Sequence, residues 1–359
     1  MPQTQYARSG EIHIAYQVMG DGPADLVFIP GWVSHLELEM EMVLPRRFYE
    51  ALASFTRLIR FDKRGTGMSD RVMGAMSLNE RIDDIRAVLD SAGVERASLL
   101  GFSEGGTMAA VFAARHPDRV EKLVLLGSHA GKVSGSADFL CGYEVEARIR
   151  WITEVVETRW GTGDSLEHLA PSLWRHRQSD RARAAQARFE RTAATPGAAL
   201  AHLRFNLGND ARSVMPDVSA PTLVLHRAGD HFVPLCNGEH LASAIPDAHL
   251  IVVDGDDHLP YVGDVAAVVE EIERFLVGTT SHAESLRGHR RAASDPLTLL
   301  TVAELRVAEC VAQGMANPAI ADALHLSRHT VESHLKRIYT KFGVTRLQLA
   351  SVVSKSVNG

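Results

Sequence analysis

The three residue types needed to attack an acyl carbon occur in order along the chain, as Ser103, Asp230 and His258. Ser103 lies in "LLGFSEGGTMAAVF", between Gly101 and Gly105, where an apolar run gives way to a helical pattern. A serine on a strand-to-helix turn is presented as a nucleophile, and glycines flank it because a Cβ would crowd the turn. The hydroxyl needs a base, and the base needs a carboxylate to orient it. Asp230 follows the strand "PTLVLHR", at the edge where open α/β sheets build their sites, and His258 in "VVDGDDHLPY" follows the next strand. Asp254, Asp256 and Asp257 are nearer in sequence. A carboxylate adjacent in sequence rarely folds back onto its neighbour's ring, so Asp230 is the expected partner. A tetrahedral intermediate also needs two amide donors. Glu104 follows the nucleophile and supplies one; Trp32, in the strand-ending "LVFIPGWVSH", supplies the second. The competing readings are a helix-capping serine and a loop histidine.

Positioning these residues requires a sheet. Between Glu11 and Leu276, short β-rich runs ("EIHIAYQVM", "DLVFIP", "RLIRFD", "ASLLGF", "KLVLLG", "PTLVLHR", "HLIVVD") alternate with helical stretches. That alternation predicts a mainly parallel sheet covered on both faces, the α/β class. The strand pattern stops between about 131 and 216, which reads as a helical insertion, and a helix from about Asp264 to Leu276 closes the domain. The insertion holds Trp151, Trp160 and Trp174, which either line an apolar pocket or pack as core, and the arginine-dense stretch Arg175 to Arg188. Those arginines read as a solvated helix face or an anion site.

Residues 278–296 are polar, basic and without apolar periodicity, an exposed linker. Residues 297–359 then read as short helices able to fold alone. Asn317 and Pro318 open one helix, and Ser327 caps the next, which runs to about Lys341 with Val331, Leu335 and Ile338 on one face. The opposite face carries Arg328, His329, Thr330, Glu332, Ser333, Lys336 and Arg337. Two helices joined by a short turn, the second polar and basic outside, form a helix-turn-helix, whose second helix enters the major groove. Periodicity alone also allows a small helical protein-binding module.

Charge divides the same way. Residues 278–359 hold ten Lys and Arg against six Asp and Glu, net +4, which leaves −10 for residues 1–277 out of −6 overall. An acidic body is unsuited to nucleic acid, whereas a basic tail supplies phosphate-facing charge. There is no signal-peptide pattern and no apolar run of membrane-spanning length, so a cytoplasmic protein with no membrane partner is expected. Cys141, Cys236 and Cys310 are far apart and lack metal spacing, which predicts reduced thiols, no metal and no cofactor.

With these motifs in place, residues 1–277 resemble the α/β-hydrolase superfamily with a helical cap. "PGW", "FDKRGTGMSD", "GFSEGG", "GDHFVP" and "DHLPY" fall in that family's order. Pro30 stands where many members carry a histidine that helps hold the oxyanion loop, and the Glu104 side chain is placed to reach the pocket mouth and disfavour anions. Leu300 to Val353 resembles the LuxR-type DNA-binding domain almost throughout. By that resemblance Thr330, Ser333, Lys336 and Lys341 face DNA and Arg346 contacts phosphate, while Glu332 replaces a common lysine. The segment before Arg346 is one residue shorter than usual. The resemblances imply a one-component regulator, a homodimer on a pseudo-palindromic operator of double-stranded DNA, with a hydrolase domain that binds and hydrolyses a small ester, thioester or lactone. The alternatives are a catalytically silent receptor on the same fold and a metabolic serine hydrolase with a helical interaction tail.

Overall fold

In the computed structural model the described residues are 2–71, 77–131, 143–176, 179–278, 300, 302–324, 326–342, 345, 346, 349, 350 and 353. Eight strands make one sheet: β1 (Gln5–Ser9), β2 (Ile12–Met19), β3 (Ala24–Ile29), β4 (Thr56–Phe61), β5 (Ala97–Phe102), β6 (Val120–Leu126), β7 (Thr222–Arg227) and β8 (Ala248–Val253). Their order is β1-β2-β4-β3-β5-β6-β7-β8; β2 is antiparallel to both neighbours, and β4 through β8 are parallel.

Every residue of β5 and β7 is buried, as expected of parallel strands covered on both faces. On one face α3 (Leu78–Ser91) and α4 (Glu104–Arg115) contribute Ile85, Val88, Met108 and Phe112 to a core with Val27, Leu99 and Leu125. On the other, α2 (Val43–Ala53) and α11 (Val265–Val277) bring Phe48, Leu52, Val269 and Ile272 onto Phe28, Leu100 and Leu225. Ser77 starts α3 with a capping box shared with Glu80, and Asp264 caps α11 through the Ala267 amide. The remaining helices of this part are α1 (Leu36–Glu41) and α10 (Leu235–Ala244).

Between β6 and β7 lie α5 (Tyr143–Arg159), α6 (Leu166–Leu169), α7 (Pro171–Trp174), α8 (Ser179–Ala193) and α9 (Pro196–Gly208). The buried Glu190 carboxylate ties this cap together, accepting the Gly161 and Gly163 amides at 2.8 and 2.9 Å and the Ser165 hydroxyl at 2.6 Å. Among its arginines, Arg175 pairs with Asp256, Arg183 with Asp164 and Arg188 with Glu41, so these three belong to a solvated, ion-paired face.

The C-terminal helices are α12 (Val302–Ala312), α13 (Asn317–Leu324) and α14 (Arg328–Phe342), packed about Val307, Ile320, Val331, Leu335 and Ile338. The expected linker lies outside the described residues apart from Gly278. Two expectations change. β1, with three of its five residues exposed, adds an eighth strand that apolar patterning did not reveal. Cys236 is disulfide-bonded while Cys310 is a free thiol, so not all three cysteines are reduced; Cys141 lies outside the described residues.

Candidate active site and candidate DNA-binding face

Ser103 follows β5 with φ 54° and ψ −126°, a positive-φ conformation that non-glycine residues rarely adopt. Close packing forces this turn. A Cβ on Gly101 would lie 2.5 Å from the Gly106 Cα, one on Gly105 2.2 Å from the Ile29 carbonyl oxygen, and one on Gly106 2.0 Å from the Ser128 hydroxyl. The third glycine of "GFSEGG" is therefore as constrained as the two singled out from the sequence.

Ser103 Oγ lies 2.9 Å from His258 Nε2, and His258 Nδ1 lies 2.7 Å from Asp230 Oδ2. All three residues are buried, at 6, 4 and 5% exposure. The imidazole sits between the rings of Phe102 and Phe232, at centroid distances of 4.9 and 5.0 Å. The other Asp230 oxygen accepts the Phe232 and Val233 amides, both at 2.9 Å. Burial disfavours the Asp230 anion, but His258 and these hydrogen bonds outweigh it and hold the carboxyl below its usual range. The neighbouring acids go elsewhere: Asp257 accepts the Ser172 amide and hydroxyl of α7, and Asp256 pairs with Arg175.

Trp32 and Glu104 flank Ser103, and neither backbone amide donates a hydrogen bond among the described residues. A Cβ on Gly31 would stand 3.2 Å from both the Ser103 Cβ and the Phe102 ring, so glycine lets the Trp32 loop approach this closely. With proline at position 30, other contacts hold the loop. Ser34 donates to Asp62 at 2.7 Å, the Leu36 amide donates to the same carboxylate at 3.1 Å, and the Trp32 indole donates to the Ala199 carbonyl of α9 at 2.8 Å.

The Glu104 side chain does not stand at the pocket mouth. It is 2% exposed and ion-paired with the buried Lys63 of "FDKRGTGMSD". A carboxylate at this depth requires a partner. Burial pushes Lys63 down to about 8, with Glu104 opposing the shift. Arg81, also buried, donates to Nδ1 of the cap residue His202 at 2.8 Å. Burial together with Arg81 and Lys63 drives His202 down to about 2, so its ring is neutral.

Sequence reasoning missed Arg227, at the end of β7. Its guanidinium donates to the carbonyls of Asp257, Leu259, Pro260 and Val262 at 2.6 to 3.3 Å and so fixes the loop bearing His258. An arginine ending an otherwise apolar strand was the available signal. The cap holds the same loop through the Leu169 carbonyl, which accepts the His258 and Leu259 amides at 2.9 and 3.0 Å. Of the three cap tryptophans, Trp160 lines the cavity over Ser103, where it packs on Trp32 at 5.2 Å. Trp151 packs on His168 and Trp174 under Arg183.

On α14, Glu332, Lys336 and Arg337 are exposed, while Thr330 and Ser333 are half-buried. Ser327 caps the helix by accepting the Thr330 amide at 3.0 Å and also bonds the Thr330 hydroxyl at 2.7 Å. Lys341 falls on α14, its side chain outside the described set. Arg346 turns inward and donates to Asn317 Oδ1 at 2.6 Å and to the Met315 carbonyl at 2.5 Å. The Asn317 oxygen is thus engaged by Arg346.

The alpha/beta hydrolase fold profile matches residues 26–264, and the chain belongs to that family. The profile of bacterial regulatory proteins of the luxR family matches residues 298–353, over the C-terminal helices. The putative carbamate hydrolase RutD of Azorhizobium caulinodans is 28% identical over 257 residues, 70% of this chain and 91% of that protein. The 2-hydroxymuconate semialdehyde hydrolase of Pseudomonas putida is 30% identical over 233 residues, 61% of this chain and 76% of that one. Among solved structures, the enol-lactonase of Burkholderia xenovorans aligns with a TM-score of 0.57 at 24% identity, over 76% of this chain and 99% of that chain, a likeness of fold.

Proposed function

We propose that the chain is a one-component transcription regulator whose hydrolase domain binds and hydrolyses a small ester, thioester or lactone, and whose C-terminal domain binds double-stranded DNA as a homodimer on a pseudo-palindrome. The observation that carries this reading is the buried Ser103–His258–Asp230 hydrogen-bonded series at 2.9 and 2.7 Å in a chain that also bears a luxR-family domain.

In this mechanism Ser103 Oγ attacks the substrate carbonyl carbon while His258 Nε2 takes the hydroxyl proton. Asp230 accepts the Nδ1 proton and stabilises the imidazolium. The oxyanion receives hydrogen bonds from the Trp32 and Glu104 amides, whose donors have no other acceptor among the described residues. Collapse expels the alcohol, thiol or ring oxygen, which takes the proton from His258. Water then attacks the acyl-enzyme with His258 as base and releases the acid and free Ser103. No step uses a metal or cofactor, and the described residues contain no cluster of metal-ligating type. Among them no helix is long and apolar enough to cross a membrane.

The test labels the full-length chain with a fluorophosphonate, wild type against Ser103→Ala, and measures binding to DNA from upstream of its gene before and after labelling. We expect stoichiometric labelling of wild type alone and altered DNA affinity after labelling. Absence of labelling, with DNA binding intact, would leave the silent receptor. Failure to bind any DNA at low salt would remove the regulator and leave the hydrolase with an interaction tail.

A further inference from the structure

Two cavities of about 60 Å³ each meet at Ser103 and Trp32. The first runs under Trp160, Phe189 and Tyr261. The second is walled by Ile149, Ile152 and Leu203, with Glu104, His129, Asn206 and Asn237 on its polar side, the Asn237 amide nitrogen donating to the Pro234 carbonyl at 3.0 Å. Glu104 Oε1 and Asn206 Oδ1 are buried, and neither has a hydrogen-bond partner among the described residues. The two residues are 2 and 8% exposed. A buried acceptor without a donor costs about 1–3 kcal/mol, so two in one cavity need a reason.

We infer that this second arm takes a ligand group bearing a neutral hydrogen-bond donor, a hydroxyl within a few bonds of the scissile carbonyl, held by Glu104 Oε1 and Asn206 Oδ1. The charge around the arm selects a hydroxyl over an ammonium. Glu104 is paired with Lys63, and the buried Arg81 interacts with both, so the cluster is not negative overall. His129 adds no charge: burial holds it down to about 4, and its Nδ1 accepts the Gly131 amide at 3.1 Å. A sequence-based expectation of neutral or cationic ligands is thereby narrowed to neutral ones. A site built to bond a hydroxyl penalises an analogue lacking it far more than an apolar pocket penalises a missing methylene.

This rests on the reading of the Ser103 site as a ligand pocket, and the test separates the two. Ethyl butanoate is compared with ethyl 3-hydroxybutanoate, which places a hydroxyl on the acyl side, and with 2-hydroxyethyl butanoate, which places it on the alcohol side. Ethyl 3-aminobutanoate and 2-aminoethyl butanoate serve as the cationic counterparts. We expect one hydroxy ester to exceed ethyl butanoate in kcat/KM by about tenfold, with no gain for its amine counterpart. Asn206→Leu should reduce that ratio at least fivefold. In parallel, the same esters are titrated against Ser103→Ala by the fluorescence of Trp32 and Trp160. If wild type hydrolyses none of them but the hydroxy ester still binds Ser103→Ala about tenfold tighter, hydrolysis is lost and this inference stands. Hydroxy and parent esters equal in both readouts, undetectable binding, or a preference for the amine overturns it.

Discussion

Arg227 brackets His258: its Nη1 donates to the carbonyls of Asp257 at 2.6 Å and Leu259 at 2.8 Å, the residues on either side of the histidine. Nη2 satisfies Pro260 and Val262 further along. One planar cation at the end of β7 therefore sets the path of the loop, and with it the height of the imidazole over Asp230.

An ammonium cannot reproduce that fork. Arg227→Lys should lower stability by roughly 2–4 kcal/mol, from carbonyls left without donors. It should also lower kcat on p-nitrophenyl butyrate tenfold or more, with a smaller change in KM and a displaced acidic limb in the kcat/KM pH profile. Urea melts and steady-state kinetics read the two effects. A loss of stability with kcat and the pH profile unchanged would reduce Arg227 to a structural residue.

The Lys63–Glu104 pair makes a second prediction. Removing one partner of a buried ion pair leaves the other uncompensated, at a cost of about 3–5 kcal/mol. Lys63→Met should fall in that range, and Lys63→Met/Glu104→Gln should recover part of it, because both charges of the pair are then gone while the buried Arg81 loses Glu104 as a counter-charge. The double-mutant cycle from urea denaturation measures the coupling. Additive effects would show that the pair contributes nothing as a pair.

Glu39 gives a pH signature. It lies against Arg60 at 2.5 Å and accepts from Tyr49 at 3.1 Å, yet burial pushes its carboxyl from 4.5 up to about 7. Between these values the folded chain holds a proton that the unfolded chain has released, so this group's contribution to stability falls as pH rises through the window. Buried histidines act in the opposite sense: His129 is lowered from 6.5 to about 4. The informative quantity is therefore the difference between wild type and Glu39→Gln. Wild type should lose about 3 kcal/mol relative to the variant from pH 4.5 to pH 7. Parallel stability curves for the two would contradict the shifted carboxyl.

The sheet was legible because parallel strands buried on both faces leave continuous apolar runs, as in "ASLLGF" and "TLVLHR". β1 escaped because its pairing with β2 leaves three of five residues in solvent. Ser103, Asp230 and His258 were expected from their order and from the strand ends they follow, and the structure brings the three side chains together there. The partners of Glu104 could not: Lys63 is 41 positions away, and nothing in either local sequence marks a buried ion pair. Arg346 is a similar case. Its resemblance to a phosphate-contacting residue carries no information about Asn317, 29 positions earlier.

That distinction supports the last prediction, made on the full-length chain. Lys336 is exposed on α14, and the Arg346 guanidinium is half-buried and engaged with Asn317 and Met315. Each phosphate contact contributes about 0.9 to the slope of log K against log salt. Lys336→Ala should therefore weaken DNA binding and flatten that slope by roughly 0.9. Arg346→Ala should instead lower the melting of the C-terminal helices, by about 1 kcal/mol for a half-exposed charge-assisted bond, and weaken binding with the slope retained. Electrophoretic shift assays from 50 to 200 mM salt, paired with thermal melts, separate the two. A reduced slope in Arg346→Ala would return that residue to the DNA-facing set.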